Sequence, residues 1–139
     1  MEVGITRILI VDDDTDDTEL IRESISKVEP DTVFQLAENG LIALETLNSL
    51  PENELPDLII LDHNMPKLKG SEVLLLLCNN ARYKSIPKII LTTSSNASLI
   101  AECIANGATD YFVKPVLVEE YRQFAKQVIK FSKNIHIQH

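Results

Sequence analysis

Leu58-Ile59-Ile60-Leu61-Asp62 is an unbroken apolar run of four residues that ends on a carboxylate. A run this short and this apolar is typical of a strand inside a parallel sheet, covered on both faces. Three further runs end on polar groups in the same way: 8–11 on Asp12 and Asp13, 88–91 on Thr92, and 111–113 on Lys114. Open α/β sheets build their sites at the carboxyl ends of the strands, so these polar groups are predicted to meet on one rim.

Strand and helix patterns alternate five times along the chain. Strands are predicted at 7–11, 32–37, 58–61, 88–91 and 110–113, and helices at about 15–28, 41–50, 71–80, 97–105 and 118–131, with Ser71 as the N-cap of the third helix. This alternation predicts an α/β fold with one parallel sheet, right-handed crossovers and helices on both faces. For five strands the flavodoxin-like order 2-1-3-4-5 is favoured, and it places Asp12 and Asp13 beside Asp62.

The length of 139 residues suits one domain with a substantial core. We therefore expect a single domain over 1–139, with its core at about 5–133. No apolar run approaches the ~20 residues that a membrane-spanning helix needs, and the start lacks the pattern of a signal peptide. Cys78 and Cys103 fall in helical patterns as expected of reduced core thiols, which favours a cytoplasmic protein without a membrane partner.

The net charge of −8 is unevenly distributed. Through Asp62 the sequence has sixteen acidic and three basic residues, whereas the remainder has five acidic and ten basic residues. The acidic half contains most of the predicted rim. No basic stripe with interleaved aromatic residues occurs in the sequence, which argues against nucleic-acid binding.

The residue types on the predicted rim suit phosphoryl transfer. Clustered carboxylates repel one another, and a hard cation such as Mg²⁺ relieves the repulsion while leaving ligand positions for phosphate oxygens. An aspartate can act as the nucleophile and form an acyl phosphate. Lys114 would then pair with one phosphoryl oxygen, and Thr92 would donate a hydrogen bond to another.

These features, in this order and spacing, resemble the receiver domain of two-component response regulators. The resemblance extends from Arg7 to the region of Lys133, nearly the whole chain. The matching stretches are Ile8–Asp14, Pro56–Asp62, Met65-Pro66, Gly70, Ile86-Pro87, Leu91–Thr93, Gly107-Ala108 and Tyr111–Pro115.

The resemblance implies a phosphoacceptor and a metal site. By it, Asp62 accepts phosphate from a phosphohistidine and catalyses, with its neighbours, its own phosphorylation and dephosphorylation. Asp12, Asp13 and Asp62 hold Mg²⁺ together with the backbone carbonyl of Asn64. The residues two positions past the acceptor and two past the hydroxyl, Asn64 and Ser94, tune the loss of phosphate.

The resemblance also implies a conformational switch. Thr92 and Lys114 bind the phosphoryl oxygens, and the Lys114–Pro115 peptide bond is expected to be cis. Thr92 and Tyr111 are expected to move together and to reshape the surface formed by the fourth helix, the fifth strand and the fifth helix.

The implied partners are proteins. A sensor histidine kinase or a histidine phosphotransfer protein would supply the phosphoryl group, and a downstream protein not specified by the sequence would read the switch. No output domain is expected, so the signal would pass by contact, and a homodimer through the same surface is compatible with the pattern. Short receivers of chemotaxis-regulator type are similar, as are those that serve bacterial phytochrome-type kinases; the latter likeness rests on Met65-Pro66-Lys67 and Thr92-Thr93-Ser94.

Two other functions remain open from the residues. A phosphatase of the haloacid-dehalogenase type also uses a strand-end Asp-x-Asp, a threonine and a lysine, with Asp12 as the nucleophile; it needs a further acidic pair, for which the sequence offers only Glu119 and Glu120 in a helical pattern. A receiver could also act as a phosphate sink or dock a partner independently of phosphate.

Several polar residues near the rim have simpler interpretations. Asp14, Asp16 and Asp17 are explained as carboxylates favoured at the start of the first helix. His63 stands where relatives commonly have an apolar residue, and we expect it to be solvated. Lys67 and Lys69 also depart from the commonest pattern of the family.

Overall fold

A computed structural model describes residues 6–65, 68–93 and 96–137, with side chains described as far as 132. The strands are β1 (Arg7–Val11), β2 (Val33–Ala37), β3 (Leu58–Asp62), β4 (Lys88–Thr92) and β5 (Asp110–Val113). The helices are α1 (Thr15–Val28), α2 (Gly40–Ser49), α3 (Gly70–Cys78), α4 (Ala97–Ala105) and α5 (Val118–Ile137), with a 3₁₀ turn at Glu52–Glu54. Among the described residues, no helix combines the length and apolar character needed to cross a membrane.

The five strands form one parallel sheet in the order β2-β1-β3-β4-β5, which confirms the predicted topology. Alternate side chains of the central strands enter two separate cores. Ile59 and Leu61 pack with α2, α3 and α4 on one face, and Leu58 and Ile60 pack with α1 and α5 on the other. Every residue of β3 is buried, as expected for a strand covered on both faces.

The strand register positions the polar strand ends. Val11 of β1 lies opposite Leu61 of β3, so the following residue, Asp12, lies beside Asp62. On the other side of β3, Asp62 pairs with Leu91, the residue before Thr92. The acidic and hydroxyl side chains therefore meet at the centre of the carboxyl edge of the sheet.

The predicted N-cap of α3 and the predicted end of α5 are wrong. Ser71 was expected to cap α3, but the helix already begins at Gly70, and the Glu72 carboxylate accepts a hydrogen bond from the Lys69 N–H at 2.9 Å. Gly70 is required there because an added Cβ would lie 2.9 Å from the His63 Cα. Helix α5 was predicted to end near residue 131, where its apolar pattern stops, but it continues to Ile137. A helix that has already formed gains one hydrogen bond with each added residue.

Lys88 is a buried lysine that the sequence pattern did not indicate. It is 1% exposed at the start of β4. Its Nζ donates hydrogen bonds to the carbonyl oxygens of Tyr83 at 2.8 Å, Lys84 at 3.2 Å and Ile86 at 2.7 Å. Burial lowers the pKa of the Lys88 amine. The three bonds satisfy its donors and fix the α3–β4 connection against the sheet.

Replacing this amine should destabilise the fold. Lys88→Met keeps a long side chain but leaves three carbonyl oxygens without their donor, so we expect the free energy of unfolding to fall by about 2–4 kcal/mol. Urea denaturation measures the loss. The exposed Lys84→Met is the matched control and should change stability by less than about 0.5 kcal/mol. Equal stability of the two variants would contradict this account of Lys88.

Candidate phosphoacceptor and metal site

Three carboxylates cluster at the ends of β1 and β3. One oxygen each of Asp12, Asp13 and Asp62 lies within 4.8 Å of the other two. Asp12 and Asp62 are buried, at 4% and 1% exposure, whereas Asp13 is exposed to solvent. Charges this close repel one another strongly when they are shielded from water, so the arrangement favours a bound cation.

The pKa of Asp12 shows what it costs to bury a carboxylate beside another one. Burial raises the pKa of its carboxyl to about 7; the hydrogen bond from the Asp14 N–H opposes the rise, and the charge of Asp62 adds to it. Oδ1 accepts that N–H at 2.9 Å, whereas the buried Oδ2 receives no hydrogen bond. Lys114 Nζ lies 3.3 Å from Oδ2, an ion-pair distance without hydrogen-bond geometry. A buried carboxylate oxygen without a donor fits a hard cation such as Mg²⁺.

One carboxylate oxygen of Asp62 accepts a backbone hydrogen bond, and the other faces the amine of Lys114. Its Oδ1 accepts the Asn64 N–H at 3.1 Å, and its Oδ2 lies 3.3 Å from Lys114 Nζ. The Asn64 side chain reaches the next connection, where its Oδ1 lies 3.3 Å from both the backbone nitrogen and the Oγ1 of Thr93. Asn64 therefore links the β3–α3 and β4–α4 connections across the rim.

Lys114 brings a positive charge to the cluster from the end of β5. Its Nζ lies 2.9 Å from Asp17 Oδ2, and 3.3 Å from Oδ2 of both Asp12 and Asp62. Burial alone would lower the pKa of this amine, but the hydrogen bond to Asp17 and the charges of the three carboxylates raise it well above its ordinary value. Lys114 is therefore a cation at physiological pH.

The expected cis peptide bond is wrong: the Lys114–Pro115 bond is trans in the structure. The trans form is the lower in free energy for most bonds that precede proline. Lys114 still reaches the carboxylates, since its backbone N–H donates to the Thr92 carbonyl at 2.8 Å and so extends the β4–β5 pairing to the rim.

Thr92 and Tyr111 lie where the sequence predicted them. Thr92 is 1% exposed at the end of β4, opposite Val113 of β5. Tyr111 is partly buried on β5 and packs against the core that α4 covers. The rim thus brings Asp12, Asp13, Asp62, Thr92 and Lys114 to neighbouring strand ends. Ser94, Pro66 and Lys67 lie outside the described residues.

One residue near the rim has a contact that the sequence did not predict, and one prediction is wrong. Asp17 lies in the first turn of α1 as predicted, behind the N-cap Asp14, and its carboxylate also contacts Lys114. His63 was expected to be solvated but is 7% exposed, and burial lowers its pKa. Asp17 and Lys114 are 97 positions apart, so no local pattern signals their contact.

Comparison with known proteins gives one consistent family. The family model described as the response regulator receiver domain matches residues 8–126. The chain is 28% identical over 124 residues to the chemotaxis protein CheY1 of Helicobacter pylori, covering 89% of this chain and 90% of that protein. It is 30% identical over 129 residues to the two-component response regulator ORR5 of Oryza sativa subsp. japonica, covering 91% of each.

Solved structures agree with the sequence comparison. The phosphorylated cyanobacterial phytochrome response regulator RcpA superposes with a TM-score of 0.83 at 28% identity, covering 92% of this chain and 94% of that one. The Mn²⁺-bound form of the response regulator Rcp1 superposes with a TM-score of 0.77 at 29% identity, covering 88% and 91%. With its sheet order, its acidic rim and a family match over most of its length, the chain belongs to the family of response regulator receiver domains.

Proposed function

We propose that this receiver domain is a phosphorylation-controlled switch in which Asp62 is the phosphoacceptor. The observation that supports this assignment most strongly is the position of the Asp62 carboxylate. It lies within 4.8 Å of the carboxylates of Asp12 and Asp13 and 3.3 Å from the Lys114 amine. The Asp62 carboxylate thus has two carboxylates that can share a metal ion and one positively charged amine beside it. A nucleophile that attacks an anionic phosphoryl group needs such positive charge nearby.

Asp12, Asp13 and Asp62 would hold Mg²⁺, with the Asn64 carbonyl as a further ligand. The bound cation would neutralise carboxylate repulsion and phosphoryl charge. An Asp62 oxygen would attack the phosphorus of a phosphohistidine, forming the O–P bond as the P–N bond breaks and the imidazole leaves. Lys114 would bind one phosphoryl oxygen and Thr92 another. Water would later attack the same phosphorus, breaking the Asp62 O–P bond and releasing inorganic phosphate and the free carboxylate, at a rate that Asn64 and Ser94 would tune.

The partners that fit this chemistry are proteins of a phosphorelay. A histidine kinase or a histidine phosphotransfer protein would donate the phosphoryl group. Since Cys78 and Cys103 are free thiols, which the reducing cytoplasm maintains, we place the exchange in the cytoplasm. The likeness to a phytochrome response regulator supports a phytochrome-type kinase as the donor.

The signal would leave through the surface of α4, β5 and α5. Tyr111 on β5 packs against the core that α4 covers, so a joint movement of Thr92 and Tyr111 on phosphorylation would reach this surface. Phosphorylation adds about −1.5 to −2 charge at the rim, enough to bias a two-state surface. A second copy of the chain or a downstream protein could dock there.

The phosphatase alternative, with Asp12 as nucleophile, is not favoured. The family match covers most of the chain and is to a receiver domain. A phosphate sink uses the same chemistry as the switch and differs only in having no reader.

Asp62→Asn should abolish phosphorylation while the fold persists, because the amide cannot act as the nucleophile. Incubation with acetyl phosphate and Mg²⁺, followed by intact-mass measurement and peptide mapping, locates the acyl phosphate. Asp31→Asn, at an exposed aspartate, is the control and should be labelled like the wild type. Label on Asp12 in the wild type would support the phosphatase instead.

Asp12→Asn should stabilise the metal-free protein. The folded-state pKa of Asp12 is raised, so wild-type stability falls as pH rises from about 4 to 7 and the full cost is present above 7. At pH 8 in EDTA we expect a gain of roughly 1–3 kcal/mol, shrinking at pH 5. Saturating Mg²⁺ should stabilise the wild type more than the variant.

Thermal unfolding at both pH values, with and without Mg²⁺, checks this expectation. The exposed Asp13→Asn is the matched control, since it removes an equal charge without removing a buried one. Lower stability of Asp12→Asn in EDTA at pH 8 would show that burial of the Asp12 carboxylate does not destabilise the metal-free protein.

Lys114→Ala should still accept some phosphate but fail to transmit it. Without the amine, the phosphoryl group has one contact fewer through which to displace β5 and α5. Hydrogen exchange across α4, β5 and α5, measured with and without phosphorylation, should change in the wild type and in the exposed Lys126→Ala control, and less in Lys114→Ala. An undiminished response in Lys114→Ala would remove Lys114 from the switch.

A further inference from the structure

Asp17 makes the shortest contact of the Lys114 amine. Its Oδ2 accepts a hydrogen bond from Nζ at 2.9 Å, against 3.3 Å for the oxygens of Asp12 and Asp62. The carboxylate is not needed as a helix cap, because Asp14 already accepts the N–H groups of Asp16 and Asp17. The first turn of α1 thus places an additional acid beside the lysine of the phosphoacceptor site.

Asp17 also differs from the other carboxylates around Lys114 in what it can bind. Asp12 and Asp62 belong to the cluster that can hold a cation and would share their charge with it, whereas Asp17 lies outside that cluster. When the cluster holds a cation, Asp17 becomes the strongest partner left to Lys114. The ion pair is only partly exposed, with 15% of the Lys114 and 27% of the Asp17 side chain accessible, so solvent screens it incompletely.

We propose that Asp17 is a positioning residue that holds Lys114 before phosphorylation and competes with the incoming phosphoryl group for its amine. The proposal rests on the phosphoacceptor function proposed above. Phosphorylation by acetyl phosphate forms the Asp62 O–P bond and breaks the P–O bond to the acetyl group, which leaves as acetate. The Lys114 amine then exchanges its hydrogen bond to Asp17 for one to an oxygen of the transferred phosphoryl group.

This competition affects the two directions of the cycle differently. Phosphorylation begins with Lys114 on Asp17 and reaches a transition state with Lys114 on phosphoryl oxygens, so the Asp17 bond raises the barrier. Hydrolysis begins with Lys114 already on the phosphoryl group and keeps it there in the transition state. A contact that is equal in ground state and transition state does not change a rate.

The test compares Asp17→Asn with Asp16→Asn. Asp16 is exposed in the same helical turn, and its replacement removes the same charge near the rim without removing a contact of Lys114. With acetyl phosphate and Mg²⁺, we expect the second-order rate constant of Asp17→Asn to exceed that of Asp16→Asn by about three- to tenfold. The first-order rate constant for dephosphorylation should stay within about twofold of wild type.

Two further variants test whether Asp17 acts by holding Lys114, and not through its negative charge alone or through a change in folding. Asp17→Ala should reproduce the acceleration, and thermal unfolding verifies that both variants fold. In a Lys114→Ala background, Asp17→Asn should have no additional effect on phosphorylation. An acceleration that survives the loss of Lys114, or an equal or slower rate in Asp17→Asn than in Asp16→Asn, would overturn the proposal.

The same measurements separate this inference from the function on which it rests. A wild-type protein that carries no label on Asp62 refutes the phosphoacceptor assignment and, with it, the role of Asp17. A wild type that is labelled on Asp62, with Asp17→Asn and Asp16→Asn reacting at equal rates, leaves the phosphoacceptor intact and refutes the role of Asp17 alone.

Discussion

The repulsion among Asp12, Asp13 and Asp62 is the constraint on which the rest of the site depends. Two of these carboxylates are buried, and they lie side by side because β1 and β3 are neighbours in register. A fold built for stability alone would not place them there, since each buried charge raises the cost of the next. The sheet tolerates the cost because both faces of β3 are covered by large apolar cores. The clustered carboxylates are unfavourable for folding, and the same clustering of negative charge suits the binding of a cation.

Much of this arrangement follows from the sequence because its main determinants are local. A short apolar strand and the polar residue that ends it are adjacent in the chain, so Asp12, Asp62, Thr92 and Lys114 can be assigned to one rim once the strands are known to be parallel. The order of the strands is not local. The 2-1-3-4-5 order is the common solution for five strands, and its pairing of β1 with β3 brings Asp12 next to Asp62.

Three residues make contacts that the sequence did not predict. Lys88 looks like the polar start of a strand, but the fold surrounds it with three carbonyl oxygens of the preceding connection. Asp17 has the composition expected of a first helical turn, yet its partner is Lys114. His63 is buried because Gly70 lets α3 approach its backbone closely. Each of these contacts depends on how elements pack, and propensity and periodicity contain no information about it.

The connection that follows Lys114 restricts the movements that this lysine can make. Glu120 accepts the N–H groups of Val116 and Leu117 at 2.8 and 2.9 Å, so the start of α5 fixes the backbone just beyond Pro115. On the other side, the Lys114 N–H is bonded to the Thr92 carbonyl. With the backbone held at both ends, the cheapest movement open to Lys114 is a change of side-chain partner among carboxylates already within 3.3 Å. A side-chain exchange of this kind needs no rearrangement of the loop, which is why the identity of the carboxylates around Nζ, and not loop flexibility, should set how readily the amine reaches a phosphoryl group.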